Sequence, residues 1–372
     1  MKRPKDLFAT GVGIIIVGLV IGCLAATLQK LGNPANMGIC VACFTRDIVG
    51  ALGLHRAGIV QYLRPEIPAF CLGAFLAALA FGEFRPRTGS APIVRFVLGM
   101  SAMIGALIFL GCPWRAILRL AGGDWNAIVG IAGLIVGIAA GVGFLRSGFS
   151  LGRSYPTRAV AGLAMPFVML VLLVLAILYP QFGEEGKAAL FRSAKGPGAA
   201  AARIVWSTLI GLVVGFLAQR TRFCTVGGIR DVILMRDFHL VSGVAAFLVA
   251  AFVLNLIYGQ FHPGFTLGKM AEGVVINQPA AHTTHWLNFA GMVLAGLSFT
   301  LAGGCPGRQV FLSGEGDGDA AVFVLGMMFG AAVAHNFMLV GNAPNAAYIV
   351  VIGLAIVCIV GFLGREKLAA AR

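Results

Sequence analysis

Ten apolar stretches recur along the sequence, near residues 7–29, 66–82, 96–111, 126–145, 158–180, 204–219, 240–258, 286–302, 320–340 and 346–363. A helix needs roughly 17–25 such residues to cross a hydrocarbon layer. Only helices and closed barrels satisfy their backbone polar groups in lipid, so stretches of this length and spacing predict a bundle of spanning helices. Composition agrees: 59% of the residues are apolar and 11% are charged, with a mean hydropathy of +0.92. A soluble domain carries about 25% charge, enough to cover a water-facing surface. This chain does not, so the lipid bilayer is its expected partner.

The net charge of +14 is spread among the apolar stretches and forms no basic stripe, which argues against nucleic-acid binding. Counted on alternate sides of ten crossings, Lys and Arg favour the side that holds both termini, so both termini are expected in the cytoplasm. The start, Met1-Lys-Arg-Pro-Lys5, with its long apolar run, reads as an uncleaved first helix and not as a signal peptide.

An internal repeat organises the whole chain. Gly18-Leu-Val-Ile-Gly-Cys-Leu-Ala25 aligns with Gly211-Leu-Val-Val-Gly-Phe-Leu-Ala218, and Cys112-Pro-Trp-Arg115 with Cys305-Pro-Gly-Arg308. Asp124, Gly133 and Gly137 align with Asp317, Gly326 and Gly330 in the same register. Cys40 with Arg46-Asp47 aligns with Cys224 and Arg230-Asp231 in a slightly shorter local register. Five spans per half is an odd number, so the halves should insert with opposite orientation, an architecture common among transporters. The expected fold is therefore an all-α polytopic membrane protein with about ten transmembrane segments. They form two inverted five-helix repeats with broken or re-entrant half-helices: residues 1–180, a polar linker at 181–203, and residues 204–372.

Gly303-Gly-Cys-Pro-Gly-Arg308 and Gly111-Cys-Pro-Trp-Arg115 carry the clearest chemistry. The glycines interrupt one helix and the proline opens the next, where its missing N–H costs nothing. Cys112 and Cys305 then stand near the N-caps of short helices, where free N–H groups and the helix dipole attract anions. Arg115 and Arg308 follow them as supporting cations. Cys40 and Cys224 follow the first span of each half. The Arg46-Asp47 and Arg230-Asp231 dipeptides beside them are costly next to apolar segments unless they pair with each other or meet an oxyanion, so both are expected to be buried in protein with each charge partnered. Cys43 makes a Cys-x2-Cys with Cys40, and Gly227 stands at its place in the second repeat. Zinc would need two further ligands at such spacing, so no metal is expected. Cys23, Cys71 and Cys358 read as packing residues, and His282-x2-His285 as incidental. The sequence has no P-loop, HExxH or Ser-His-Asp arrangement, and no enzymatic cofactor is expected.

At Thr221-Arg-Phe-Cys-Thr-Val-Gly-Gly-Ile-Arg-Asp231 and Leu301-Ala-Gly-Gly-Cys-Pro-Gly-Arg308 the chain resembles the YeeE/YedE family of sulfur-transport membrane proteins. Gly32-Asn-Pro-Ala-Asn-Met-Gly-Ile-Cys-Val-Ala-Cys-Phe-Thr-Arg-Asp47 is similar to the selenium-metabolism YedE branch. The resemblance implies a bacterial inner-membrane importer of an inorganic selenium or sulfur species, such as a thiosulfate-like anion. It implies a central path lined by Cys224 and Cys305, to which the repeat adds Cys40 and Cys112 and the Cys-x2-Cys adds Cys43 as an extra cysteine, and a cytoplasmic TusA-like carrier as partner. A membrane thiol oxidoreductase using Cys40 and Cys43 is the alternative. Such an enzyme wants paired cysteines, whereas Cys112, Cys224 and Cys305 each stand alone in the sequence.

Overall fold

The computed structural model describes residues 7–179, 190–265 and 280–365. The basic N-terminal run and residues 181–189 of the expected linker lie outside the described residues. Fourteen α-helices follow one another there. The first half holds α1 (Gly11–Lys30), α2 (Val41–Ala51), α3 (Glu66–Ala80), α4 (Pro92–Ile108), α5 (Pro113–Ala121), α6 (Asn126–Arg146) and α7 (Ala159–Leu178). The second holds α8 (Ile204–Thr221), α9 (Thr225–Met235), α10 (His239–Ile257), α11 (His285–Ala302), α12 (Pro306–Gly314), α13 (Gly318–Asn336) and α14 (Ala346–Leu363). Nine helical segments among the described residues are long and apolar enough to cross a membrane, and Glu66–Ala80 is a shorter apolar helix. The chain is an all-α polytopic membrane protein. The only strand pairing among the described residues joins Arg87–Thr88 to Tyr155–Pro156 in a short antiparallel ribbon.

The repeated glycines pack the two halves through each other. Gly18 and Gly22 of α1 lie against Gly243 and Phe247 of α10. Their repeat equivalents in α8, Gly211 and Gly215, lie against Ala69 and Phe70 of α3. Gly133 and Gly137 of α6 meet Phe289 and Val293 of α11, while Gly326 and Gly330 of α13 meet Phe96 and Met100 of α4. In each case residue numbers rise together, so partner helices run parallel. With no side chain, these positions let backbones close to a distance that larger residues forbid.

The equivalent helices α4 and α11 also meet each other, and they run antiparallel. Gly105 near the end of α4 faces Gly291 near the start of α11, whereas Arg95 near the start of α4 donates to the Ala302 carbonyl at the end of α11 (3.3 Å). The axis relating α1–α6 to α8–α13 therefore lies across the helices, which is the geometry of an inverted repeat. Helices α7 and α14 sit outside this exchange: α7 packs on α3, and α14 on α11 and α4.

A Cβ on Gly133 would collide with the Phe289 carbonyl, whereas one on Gly143 meets nothing within 4 Å. Gly133→Ala should therefore lower the thermal midpoint of the detergent-solubilised protein, since forced overpacking costs about 1–3 kcal/mol. Gly143→Ala, on the same helix, should leave it unchanged, and equal midpoints would show that α6 and α11 separate freely.

The described part of the expected linker is not detached. Phe191 N–H donates to the Ala51 carbonyl (2.8 Å) and Ser193 N–H to the Gln61 carbonyl (2.8 Å). The segment therefore caps the turn between α2 and α3.

Candidate functional site

Call the face on which α1 ends the upper face and the face on which it begins the lower. After α1, Gly32-Asn-Pro-Ala breaks the helix and the chain turns back inward, stabilised by Asn33 donating to the Gly38 carbonyl (3.0 Å). Cys40 then caps α2, its Sγ accepting from the Cys43 N–H at 3.4 Å, and α2 climbs back to the upper face. α5 begins at Pro113 after Cys112 and also ends on the upper face, where the Gly122 carbonyl receives His262 N–H (2.9 Å) from the loop after α10.

The second repeat mirrors this. Cys224 caps α9, its Sγ accepting from the Gly227 N–H at 3.2 Å. α9 descends to the lower face, where Arg146 at the end of α6 donates to the Ile233 carbonyl (2.9 Å). α12 starts at Pro306 after Cys305 and ends beside Arg85, whose N–H donates to the Glu315 carbonyl (2.9 Å). Four half-helices thus point their N-termini at one interior zone, two from each face. Each N-terminus carries about half a positive charge, so the zone is biased toward anions.

The four N-cap cysteines meet there as two pairs. Cys40 Sγ lies 3.7 Å from Cys112 Sγ. Cys224 Sγ accepts from the Cys305 N–H at 3.4 Å. All four are free thiols and buried. The residues that stand alone in the sequence are therefore partnered in space, which removes the sequence argument against a dithiol reading.

Cys43 joins the first pair. Its thiol lies 3.6 Å from the Leu110 carbonyl, and Arg115 Nη1 lies 3.7 Å from its sulfur. Arg115 also donates to the Ala280 carbonyl (3.1 Å). Leu110 adopts φ +63°, where the second repeat places Gly303 at φ +91°. A non-glycine residue there costs about 1–2 kcal/mol, strain of a kind that gathers at functional sites.

The two Arg-Asp dipeptides differ. Arg46 and Asp47 are 2% and 0% exposed and lie 2.7 Å apart. Asp47 also receives Arg64 (2.8 Å, 0% exposed), which reaches on to the Pro197 and Ala200 carbonyls. Two guanidiniums share one carboxylate, leaving a net positive charge at the upper side of the site. Arg230 and Asp231 pair at 2.8 Å, but Arg230 is 28% exposed, so the expectation of full burial fails for it. Arg308 pairs with Glu315 at 3.1 Å near the lower face and not with a cysteine.

A cavity of about 500 Å³ opens beside this charge cluster, lined by Met37, Arg46, Pro197, Ala200, Ala280 and His335 among others. Two of its wall residues connect directly to the cysteines: the Met37 carbonyl receives the Cys40 N–H (2.7 Å), and the Ala280 carbonyl holds Arg115. His55 stacks on His335 with centroids 4.5 Å apart and bonds the Arg46 carbonyl (3.1 Å). Burial holds the His55 imidazole below the usual histidine range, as it does for His282 in the loop before α11. His282 Nε2 donates to the Ile108 carbonyl (2.7 Å), which accounts for it as a structural residue.

Cys71 lies 3.6 Å from Ser313 Oγ, and Cys358 sits half-buried on α14, both apart from the two pairs. Among the described residues no three His, Cys, Asp or Glu side chains are grouped so as to hold a metal ion. Sequence reasoning missed Arg64, because it stands alone in the loop before α3, belongs to no repeated motif and so gave no pattern signal. It noted Trp114 only as part of a motif.

No curated protein matches the chain. Residues 220–355, from the last turn of α8 into α14, match the model of the family described as sulphur transport, and the match includes Cys224, Arg230, Asp231, Cys305 and Arg308.

Proposed function

We propose that the chain imports an inorganic selenium or sulfur species, a selenium compound or a thiosulfate-like anion, across the bacterial inner membrane. On this reading both termini are cytoplasmic and the upper face is periplasmic. The anion enters the cavity beside Arg46, passes Cys40, Cys43 and Cys112, then Cys224 and Cys305, and leaves toward a TusA-like carrier. The carrying observation is the convergence of four half-helix N-termini, each capped by a cysteine, in an inverted repeat. The sulphur-transport match over residues 220–355 supports the substrate class.

The chemistry suits the cargo. A neutral S–H is a weak donor to a sulfur or selenium acceptor. Several in series bind weakly and release readily, which conduction requires. Arg46 and Arg64, less the charge of Asp47, draw an anion into the cavity. Arg230-Asp231 and Arg308-Glu315 are neutral as pairs and steady the lower half-helices.

The 3.7 Å approach of Cys40 to Cys112, with Cys43 alongside, favours a second reading as a membrane thiol oxidoreductase. Accumulation of labelled thiosulfate and selenite, compared in one strain with and without the chain, separates the two. Transport predicts accumulation that needs no quinone. No difference between the strains, together with quinone-dependent thiol turnover, would favour the oxidoreductase.

A further inference from the structure

Trp114 and Gly307 occupy equivalent positions in the two repeats, and they touch each other. A Cβ built on Gly307 would lie 3.2 Å from Trp114 Cζ2, so the glycine is what leaves room for the indole. Because the two equivalents meet, the indole stands at the axis that relates the halves, where only one such ring fits. It follows Cys112 by two residues and packs at 5.8 Å from Phe223, the residue before Cys224. Phe311, Phe247 and Phe70 complete the cluster at 5.9, 6.1 and 6.2 Å. The ring therefore joins the segments that carry the two cysteine pairs, in an apolar plug.

One feature of this plug is not apolar. Trp114 is 1% exposed, yet its indole Nε1 has no hydrogen-bond partner among the described residues. Thr225, the residue after Cys224, is likewise buried with its hydroxyl unpartnered. Buried donors are nearly always satisfied, because an unmade hydrogen bond forfeits what water would have supplied. A tryptophan used only for packing would expose or bond this N–H.

We propose that Trp114 is the gate between the two cysteine pairs, and that its indole N–H is the donor that carries the anion from Cys112 to Cys224. This rests on the transport reading. At rest the aromatic cluster excludes water and small ions, as hydrophobic constrictions do. When the anion arrives from the first pair, the N–H meets its charge and the ring swings, with Gly307 as the clearance. The cargo must therefore accept a hydrogen bond and tolerate a largely dehydrated, aromatic surround. A chalcogen anion accepts such a bond from thiol, indole and thiol in turn, whereas chloride is held out by the closed aromatic plug.

The test uses the full-length protein in liposomes, with chloride efflux and thiosulfate uptake measured on the same preparations. Trp114→Gly, which copies the second repeat, should raise chloride efflux about tenfold by removing the plug. Trp114→Phe should keep the membrane chloride-tight but cut thiosulfate uptake about tenfold, since a donor to a charged acceptor is gone. If Trp114→Gly is not recovered folded, Trp114→Leu carries the efflux readout, with a rise of about threefold expected. Chloride efflux equal to wild type in the small-residue variant overturns the gate, and full uptake by Trp114→Phe overturns the role of the N–H. Wild-type protein that moves neither thiosulfate nor selenite contradicts transport itself, while the chloride comparison still decides the gate.

Discussion

Accumulation of labelled thiosulfate or selenite should fall well below wild type when Cys112 and Cys305 are both replaced by alanine, with the protein still present in the membrane. Each loss removes one weak S–H contact, worth about 0.5–1.5 kcal/mol by analogy with a modest hydrogen bond, or roughly 2- to 13-fold in rate. The two thiols belong to different pairs and cap different half-helices. Their effects should therefore multiply to roughly 5- to 150-fold, as they do for independent sites. Serine variants should keep part of the activity, because a hydroxyl still donates. A covalent relay predicts instead that serine fails as fully as alanine, since a hydroxyl cannot form the persulfide or selenosulfide. Cys71→Ala and Cys358→Ala are the controls, because neither residue contacts the pairs, and both should accumulate label like wild type. Full accumulation by the double variant would end the cysteine-path account.

Asp47→Ala should be the most damaging single substitution for folding among the charged residues of the site. It leaves Arg46 and Arg64 buried without their shared carboxylate. Removing one partner of a buried pair costs about 3–5 kcal/mol, and two guanidiniums are stranded here. That is a large share of the roughly 5–15 kcal/mol by which folded proteins are stable. Asp231→Ala is the comparison: its partner Arg230 is 28% exposed and can turn to water, so the loss should be far smaller. The measurement is the amount of monodisperse protein recovered from membranes, with thermal midpoints for whatever is recovered. Equal recovery of the two variants would show that water reaches the Asp47 cluster. Normal recovery of Asp47→Ala with abolished uptake would assign Arg46 and Arg64 to the substrate.

The spans were legible in the sequence because lipid imposes a length on any helix that crosses it. The expected stretch at 126–145 became Asn126–Arg146, and the one at 346–363 became Ala346–Leu363. The repeat was legible for a related reason. Gly18 with Gly211, and Gly133 with Gly326, do the same close-packing work in both halves, so the register of the glycines is the register of the contacts. Two of the four half-helices, α5 and α12, announced themselves through Gly-Cys-Pro, since a helix that must restart in apolar surroundings has few ways to do so.

The pairing of the cysteines was not legible. Cys40 meets Cys112 across 72 positions, and Cys224 meets Cys305 across 81, distances set by how the repeats interlock and not by any local pattern. Arg64 escaped notice because a lone arginine in a loop gives no sign of which carboxylate it will meet. The Arg230–Asp231 expectation was too strong for the opposite reason. The repeat copies the dipeptide but not Arg64, so the second copy lacks the cation that completes the buried cluster around Asp47. Trp114 needed the three-dimensional fact that its equivalent, Gly307, lies against it.

The claim at the centre of this account is that a chalcogen anion visits all four N-cap cysteines. Substrate protection of the thiols measures that most directly. Purified protein is treated with N-ethylmaleimide, with and without thiosulfate, and labelling is read at each cysteine by peptide mass spectrometry. The account predicts slower labelling of Cys40, Cys112, Cys224 and Cys305 together as thiosulfate is raised, with unchanged labelling of Cys23 and Cys358. Protection confined to one pair, or none at any thiosulfate concentration, would contradict a single path through both.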